Sequence, residues 1–181
     1  MKLLEEAIKY AVEHHNGSNR KGKNVPYILH PLEALNILYR MDASEEVLCA
    51  GVLHDTVEDT DATIADITVK FGTHVAELVA GHSENKDLEW EERKRIALAD
   101  VAKADKDEQM VVLADKLANI RDIAMDYAKE GNSLWKRFNR GYEKQSWYYH
   151  GGVEALAKLA EYDDTKPFYN EFKEKVEMIF K

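Results

Sequence analysis

Residues 47–60 read VLCAGVLHDTVEDT. The first seven, 47–53, are apolar or small at every position, so a helix built from them has no polar face and is buried on all sides. His54, Asp55, Glu58 and Asp59 follow, and at about 100° per residue they share one wedge of a helix surface. A buried helix therefore ends in a histidine and three carboxylates. An unpaired buried charge costs several kcal/mol, so acids crowded beside a core call for a compensating cation. A metal ion meets that need, and the negative end of the helix dipole adds a small attraction for it.

Working outward, Asp42 and Ser44 are candidate caps for this helix, with Glu45 and Glu46 in its first turn. Upstream, Leu4, Ala7, Ile8, Ala11 and Val12 recur at helical spacing and predict an amphipathic helix over 3–15, closed by Asn16 and Gly17. The loop 18–24, SNRKGKN, is the densest basic run near a turn and, taken alone, reads as solvated. His30 precedes Pro31, which fits a helix first turn, so a second helix is expected over 32–39 with His30 at its entrance. Taken singly, His30 is a packed or capping residue.

Downstream, Asp61 or Thr63 caps a short helix carrying Ile64, Ile67 and Phe71 and ended by Gly72. A helix from near Thr73 packs Val75, Leu78 and Val79, and 82–86 is a polar connection. Over 89–104 a charged helix is expected, with Glu91, Glu92, Arg93, Lys94 and Arg95 on a solvated face. The next helix, 108–129, repeats the motif of the first stretch. Met110 to Ala114 are again apolar on every side, and Asp115 follows directly and needs a partner. Asn119 and Asp122 lie on the same stripe, at i+4 and i+7. Residues 134–158 read as a helix rich in aromatic and basic side chains, bent or broken at Gly151 and Gly152, its aromatics serving the core. A last helix is expected over 167–180.

Every periodic segment is helical and none alternates as a strand, so the fold class is all-α, a helical bundle read as one domain over 1–181. The chain has 181 residues, 45% of them hydrophobic and 33% charged, which suits a soluble globular protein with a substantial core. No window approaches a membrane span, and glutamates interrupt the N-terminal stretch where a signal peptide needs an apolar run. The lone Cys49 sits in the buried helix and agrees with a reducing, cytoplasmic setting. A net charge of −9 argues against a nucleic-acid partner but leaves room for a small anion where positive charge is local. No feature dictates an oligomeric state.

His30, His54, Asp55 and Asp115 together offer two imidazole nitrogens and two carboxylate oxygens, a donor set for a borderline divalent ion such as Mn²⁺, Fe²⁺ or Zn²⁺. Their order on an all-helical frame resembles the HD superfamily of metal-dependent phosphohydrolases. The longer strings RKGKNVPYILHP (20–31), GVLHDTVEDTDAT (51–63) and LADKLANIRD (113–122) resemble the hydrolase domain of the RelA/SpoT family and its stand-alone small alarmone hydrolases. The likeness runs from about Ala7 to Asp122.

That resemblance implies roles residue by residue. His30, His54, Asp55 and Asp115 fall on the metal ligands, usually of Mn²⁺; Glu58 and Asp59 match the acidic pair that orients or deprotonates the attacking water, in an order left open. Arg20 and Lys21 match the basic pair that holds the guanine nucleotide, and Asn119 a residue facing ribose and phosphates, which promotes the basic loop to a substrate contact. The implied reaction is hydrolysis of ppGpp or pppGpp at the 3′ position, giving GDP or GTP and pyrophosphate, with no synthetase domain in the chain. The pattern departs from the family at 82–86, where a Val-Thr pair is common, and at 135–149. Two alternatives stay open: an HD phosphohydrolase of another nucleotide, a nucleoside monophosphate or NADPH, and a non-catalytic metal and alarmone sensor. An intact Glu58–Asp59 pair speaks against the sensor, since a binder needs no water-activating residues.

Overall fold

A computed structural model describes residues 1–81 and 87–181; the polar connection read at 82–86 lies outside the described residues. The helices run α1 (Lys2–His14), α2 (Leu29–Arg40), α3 (Glu45–Leu53), α4 (Thr56–Asp59), α5 (Ile64–Phe71), α6 (Thr73–Gly81), α7 (Trp90–Val101), α8 (Lys106–Glu130), α9 (Gly141–Ala155) and α10 (Lys166–Ile179), with 3₁₀ turns at Gly131–Arg137 and Ala157–Glu161. Among the described residues there is no strand. An isolated bridge between Asn19 and Pro26 pins the basic loop.

α3 is the centre. Ser44 caps it by accepting from the amide of Val47 at 3.3 Å. Val47, Cys49, Ala50, Val52 and Leu53 have no exposed surface, so the all-round apolar pattern is buried all round. α1, α2, α6 and α8 pack against it. Leu38, Leu53, Leu113 and Leu117 are fully buried between these helices, each contributing roughly 1.5–3 kcal/mol. Gly51 makes the contact with α2 possible: a Cβ there would lie 2.1 Å from Leu38 Cδ1. α5 is closed by a reciprocal capping box between Thr63 and Asp66 and ends at Gly72, whose φ is 91°. Arg121 of α8 donates to Glu33 of α2 at 2.6 Å and to both carboxylate oxygens of Glu171 in α10, at 2.8 and 2.7 Å, which fixes the outer helices on α8.

Three expectations are corrected. α2 begins at Leu29 rather than Leu32, so His30 and Pro31 lie within its first turn; amides there have no intrahelical partner, so a proline costs no bond. The helix from Ser44 does not run to Thr60. It stops at Leu53, turns through His54 and Asp55, and resumes as α4, with Asp55 at φ −92° and ψ −6°. After that break Asp55 and Glu58 are half-buried and Asp59 is exposed, on the side of Tyr27. Finally, 134–158 is a 3₁₀ turn, a break and α9, and α9 runs straight through Gly151 and Gly152. Packing explains the glycines, since a Cβ on Gly151 would meet Leu98 Cδ1 at 2.6 Å and one on Gly152 would meet Lys116 Cδ at 3.3 Å.

Candidate metal centre and its cleft

Three pieces of backbone deliver the centre: the first turn of α2 brings His30, the break after α3 brings His54 and Asp55, and the middle of α8 brings Asp115. His54 is fixed first. Its Nδ1 donates to the carbonyl of Gly51 at 2.7 Å, one turn back in the same helix. The other nitrogen, Nε2, is then left with a lone pair directed at the cluster. It lies 3.2 Å from His30 Nε2, 3.1 Å from Asp55 Oδ2 and 3.6 Å from Asp115 Oδ1. His30 Nε2 is 3.4 Å from Asp55 Oδ2 and 3.1 Å from Asp115 Oδ1. His30, His54 and Asp115 each offer a ligand atom within 4.8 Å of the others.

Acceptors this close repel one another unless positive charge lies among them. Separations of 3.1–3.6 Å are also edge lengths of a coordination polyhedron with bonds of about 2.0–2.2 Å. The donor set thus fits a divalent metal ion. The electrostatics agree in direction. Burial opposes the charged forms, yet the two imidazoles hold Asp55 and Asp115 well below the usual carboxylate range. In turn the carboxylates raise His54 well above its ordinary value, and His30 above its own, against the same burial.

Supporting hydrogen bonds orient the carboxylates. Tyr27 donates its hydroxyl to Asp55 Oδ2 at 2.6 Å, and Asn119 Nδ2 donates to Asp115 Oδ1 at 2.7 Å. Burial, then Asp55, then Asp59 push the Tyr27 hydroxyl far above its ordinary pKa, so it stays a donor. Arg20 reaches in from the basic loop. Its Nη2 donates to Asn119 Oδ1 at 2.8 Å and to Asp122 Oδ2 at 3.3 Å, and the guanidinium lies 5.6 Å from the Tyr27 ring centroid. The Asp115–Asn119–Asp122 stripe is therefore turned inward, as its spacing requires. Lys21 stays exposed, donating to Asn139 Oδ1 at 3.3 Å.

Two cavities flank the centre. The first, about 310 Å³, is lined by His30, Asp55, Glu58 and Asp115 together with Arg93 and Lys94 of α7, Lys116 of α8 and Tyr148 of α9. The second, about 340 Å³, lies around Lys21, Lys23, Asp122, Asp126, Arg137 and Tyr149. Arg20, Tyr27 and Asn119 form the wall common to both.

The residues His30, His54, Asp55 and Asp115 are thus brought together, with Glu58 beside them and Arg20 and Asn119 one turn away. Asp59 is exposed beside Tyr27, and Lys21 is exposed at the rim of the second cavity. Arg93 and Lys94, expected on a solvated face, line the cleft instead, because α7 docks on α9 by that side. Trp90 meets Trp147 and Tyr148 at 6.1 and 6.0 Å, and Lys144 pairs with Glu91. The aromatic stretch is mostly core, as expected: Trp135 packs with Tyr127, Phe138, Tyr142 and Phe180. Trp147, which is exposed, and Tyr148, which lines the first cavity, are not core. Tyr27 and Lys116 also escaped the sequence reading, although both stand inside the strings that carry the resemblance.

A family model described as HD domain matches residues 7–141. Guanosine-3′,5′-bis(diphosphate) 3′-pyrophosphohydrolase MESH1 of Drosophila melanogaster is 38% identical over 125 residues, covering 67% of this chain and 69% of the relative. The crystal structure of lmo0812 from Listeria monocytogenes EGD-e matches with a TM-score of 0.76 and 42% identity over 83% of this chain and 98% of the other. The structure of a metazoan ortholog of SpoT that hydrolyzes ppGpp matches with a TM-score of 0.80 and 28% identity over 98% of this chain and 96% of the other. With the His–Asp cluster in place and the match running through all three of its helical supports, the chain belongs to the HD domain family and is a relative of the guanosine-3′,5′-bis(diphosphate) 3′-pyrophosphohydrolases.

Proposed function

We propose that this protein hydrolyses ppGpp and pppGpp at the 3′ position, releasing pyrophosphate and leaving GDP or GTP. The observation that carries the assignment is the cleft itself, which sets a His–Asp metal centre and Glu58 beside Arg20, Arg93, Lys94 and Lys116, cations suited to a polyphosphate. MESH1, named for this reaction, is the relative that supports the substrate.

In this scheme His30, His54, Asp55 and Asp115 hold a divalent ion, taken to be Mn²⁺. Such an ion stabilises charge on a phosphoryl oxygen and lowers the pKa of water toward neutrality. Glu58 takes a proton from the attacking water. The new bond joins water oxygen to the phosphorus on the ribose 3′ oxygen; the bond from that phosphorus to the 3′ oxygen breaks, and a proton ends on the departing alkoxide. Arg20, Lys21 and Asn119 hold the nucleoside side of the substrate in the second cavity, with Tyr27 bearing on Arg20 and Asp55. Among the described residues no helix is long and apolar enough to cross a membrane; the assignment puts the enzyme in the cytoplasm with its nucleotide substrate.

The test is product analysis with ppGpp and Mn²⁺, run beside NADPH and nucleoside monophosphates, with chelated protein as control. Release of GDP and pyrophosphate, abolished by chelation, is expected. Cleavage of another nucleotide alone would keep the metal centre and overturn the substrate; silence throughout would overturn the enzyme in favour of a sensor.

A further inference from the structure

Asn16 and Gly17 form the only Asn-Gly pair in the sequence, and they stand where α1 gives way to the basic loop. Both are exposed. Gly17 has φ +80°, and a Cβ built on it would meet nothing within 4 Å, so this turn is open on the glycine side. The amides on either side are engaged, Asn16 donating to the Glu13 carbonyl at 3.3 Å and Ser18 to that of His15 at 3.1 Å. Among the described residues, neither the Gly17 amide nor the Asn16 side chain is held by a hydrogen bond. A free amide nitrogen thus follows directly on an unheld carboxamide.

That pairing has a chemistry of its own, and asparagine is among the thermolabile residues because of it. The Gly17 nitrogen attacks Cγ of Asn16 and a bond forms between them. The bond from Cγ to the side-chain nitrogen breaks, and ammonia leaves with the proton given up by the amide. Water then opens the five-membered imide: attack at Cγ restores the ordinary backbone as aspartate, and attack at the main-chain carbonyl carbon routes the backbone through the side chain as isoaspartate. Glycine favours closure because it sets no Cβ against the ring. Asn19, by contrast, is followed by Arg20 and is pinned in the bridge to Pro26. We propose that Asn16 is a site of covalent self-modification, converting through a succinimide to aspartate and isoaspartate in the folded protein and thereby loosening the basic loop. The loop is affected because both ends of the Asn16–Gly17 unit are fixed. His15 is buried with its ring 4.9 Å from that of Tyr27, and the Ser18 carbonyl accepts from the Tyr27 amide at 2.8 Å. Isoaspartate adds one backbone atom between these ends, which the bond from Ser18 to His15 does not accommodate.

The test is ageing of the purified protein, with Mn²⁺ present, at mildly alkaline pH. Digestion with trypsin and tandem mass spectrometry then follow the peptide 10–20, which holds both Asn16 and Asn19. Urea-unfolded protein supplies the reference rate. In the native protein Asn16 should gain the amide-to-acid mass shift at a rate comparable to that reference, with Asn19 unchanged, and an isoaspartyl methyltransferase should label the product. Aged native protein should be cut by trypsin within 20–23 about fivefold faster than fresh protein, the worth of one backbone hydrogen bond. Asn16→Gln, whose longer side chain closes a ring poorly, should neither convert nor change its cleavage. Freshly prepared Asn16→Asp carries the charge without the added backbone atom and should be cut like fresh wild type. Native Asn16 that stays an amide while the unfolded protein converts, or aged protein cut no faster than Asn16→Gln, would overturn the proposal. Neither readout involves turnover of a nucleotide.

Discussion

Tyr27 donates to Asp55 Oδ2 at 2.6 Å and so ties the loop before α2 to the break between α3 and α4. One side chain thereby orients a candidate ligand while its ring faces Arg20. Tyr27→Phe keeps the ring and removes the hydroxyl. It is expected to lower metal affinity by about 10–100-fold, the usual effect of losing a partner behind a ligand, with little change in the unfolding midpoint. Competition against a metal-sensitive chelator measures this, and unaltered affinity would remove Tyr27 from the support of the centre.

Glu58 and Asp59 are separated by the structure, one lining the cleft and one exposed. Glu58→Gln should retain bound metal and lose about 10²–10⁴-fold in kcat, the range for a general base, whereas Asp59→Asn should lose far less. Asp115→Ala, by contrast, should lose the metal itself, read as metal per protein after dialysis. Equal losses of kcat in Glu58→Gln and Asp59→Asn would reject the division of labour.

Arg20 joins the two cavities through Asn119 and Asp122. Arg20→Ala should raise KM for ppGpp by about tenfold or more, as expected for one charged hydrogen bond, with a smaller change in kcat. An unchanged KM would return the basic loop to solvent.

Acidity should release the metal. Burial disfavours charge on His30 and His54, but Asp115 and Asp55 outweigh it and raise both above the ordinary 6.5. A protonated imidazole cannot ligate, so metal affinity rises with pH through neutrality and beyond. In the metal-free protein the signs separate. The raised histidines contribute stability that is present below 6.5 and lost as pH climbs through their folded values. Asp55 and Asp115, depressed below 3.8, contribute stability that is present above that value and lost as pH falls through theirs. Thermal unfolding across pH, with and without Mn²⁺, should therefore show stabilisation by metal growing from about pH 5.5, below the ordinary histidine value, to about pH 8, above it. Equal stabilisation at both ends would contradict the linkage.

The packing of α3 on α2 predicts an inverted glycine effect. In an open helix Gly→Ala gains up to about 1 kcal/mol. At Gly51 the new methyl would lie 2.1 Å from Leu38 Cδ1, so Gly51→Ala should instead destabilise by about 1–3 kcal/mol in urea unfolding. Gly51→Ala paired with Leu38→Ala should cost less than the two single losses added together, and strict additivity would point to a cause other than this contact.

The helices were legible because their patterns are local. Seven apolar residues before His54 and five before Asp115 announce buried helices wherever they occur, and Asp61 or Thr63 announces a cap, which the structure assigns to Thr63. The candidate ligands were legible for the same reason, since buried acids need partners. What proximity does was not. A helix wheel treats 47–60 as one cylinder, whereas the chain changes course at Asp55, near ψ −6°, where the carboxylate accepts from Tyr27, 28 residues away. The same holds for α9, where glycines that normally interrupt a helix persist because Leu98 and Lys116 occupy the space of their missing side chains.

By itself, then, the sequence determined an all-helical chain with a buried His–Asp pair, a second buried aspartate and a basic loop, because each follows from periodicity and from the cost of burying charge. Tertiary structure alone decided that Asp59 is exposed while Glu58 lines the cleft, that Arg93 and Lys94 turn into the cleft, and that Tyr148 brings Lys94 and Lys116 together. Those outcomes depend on which helix packs on which, and a pattern along one strand of sequence carries no information about a neighbour from another.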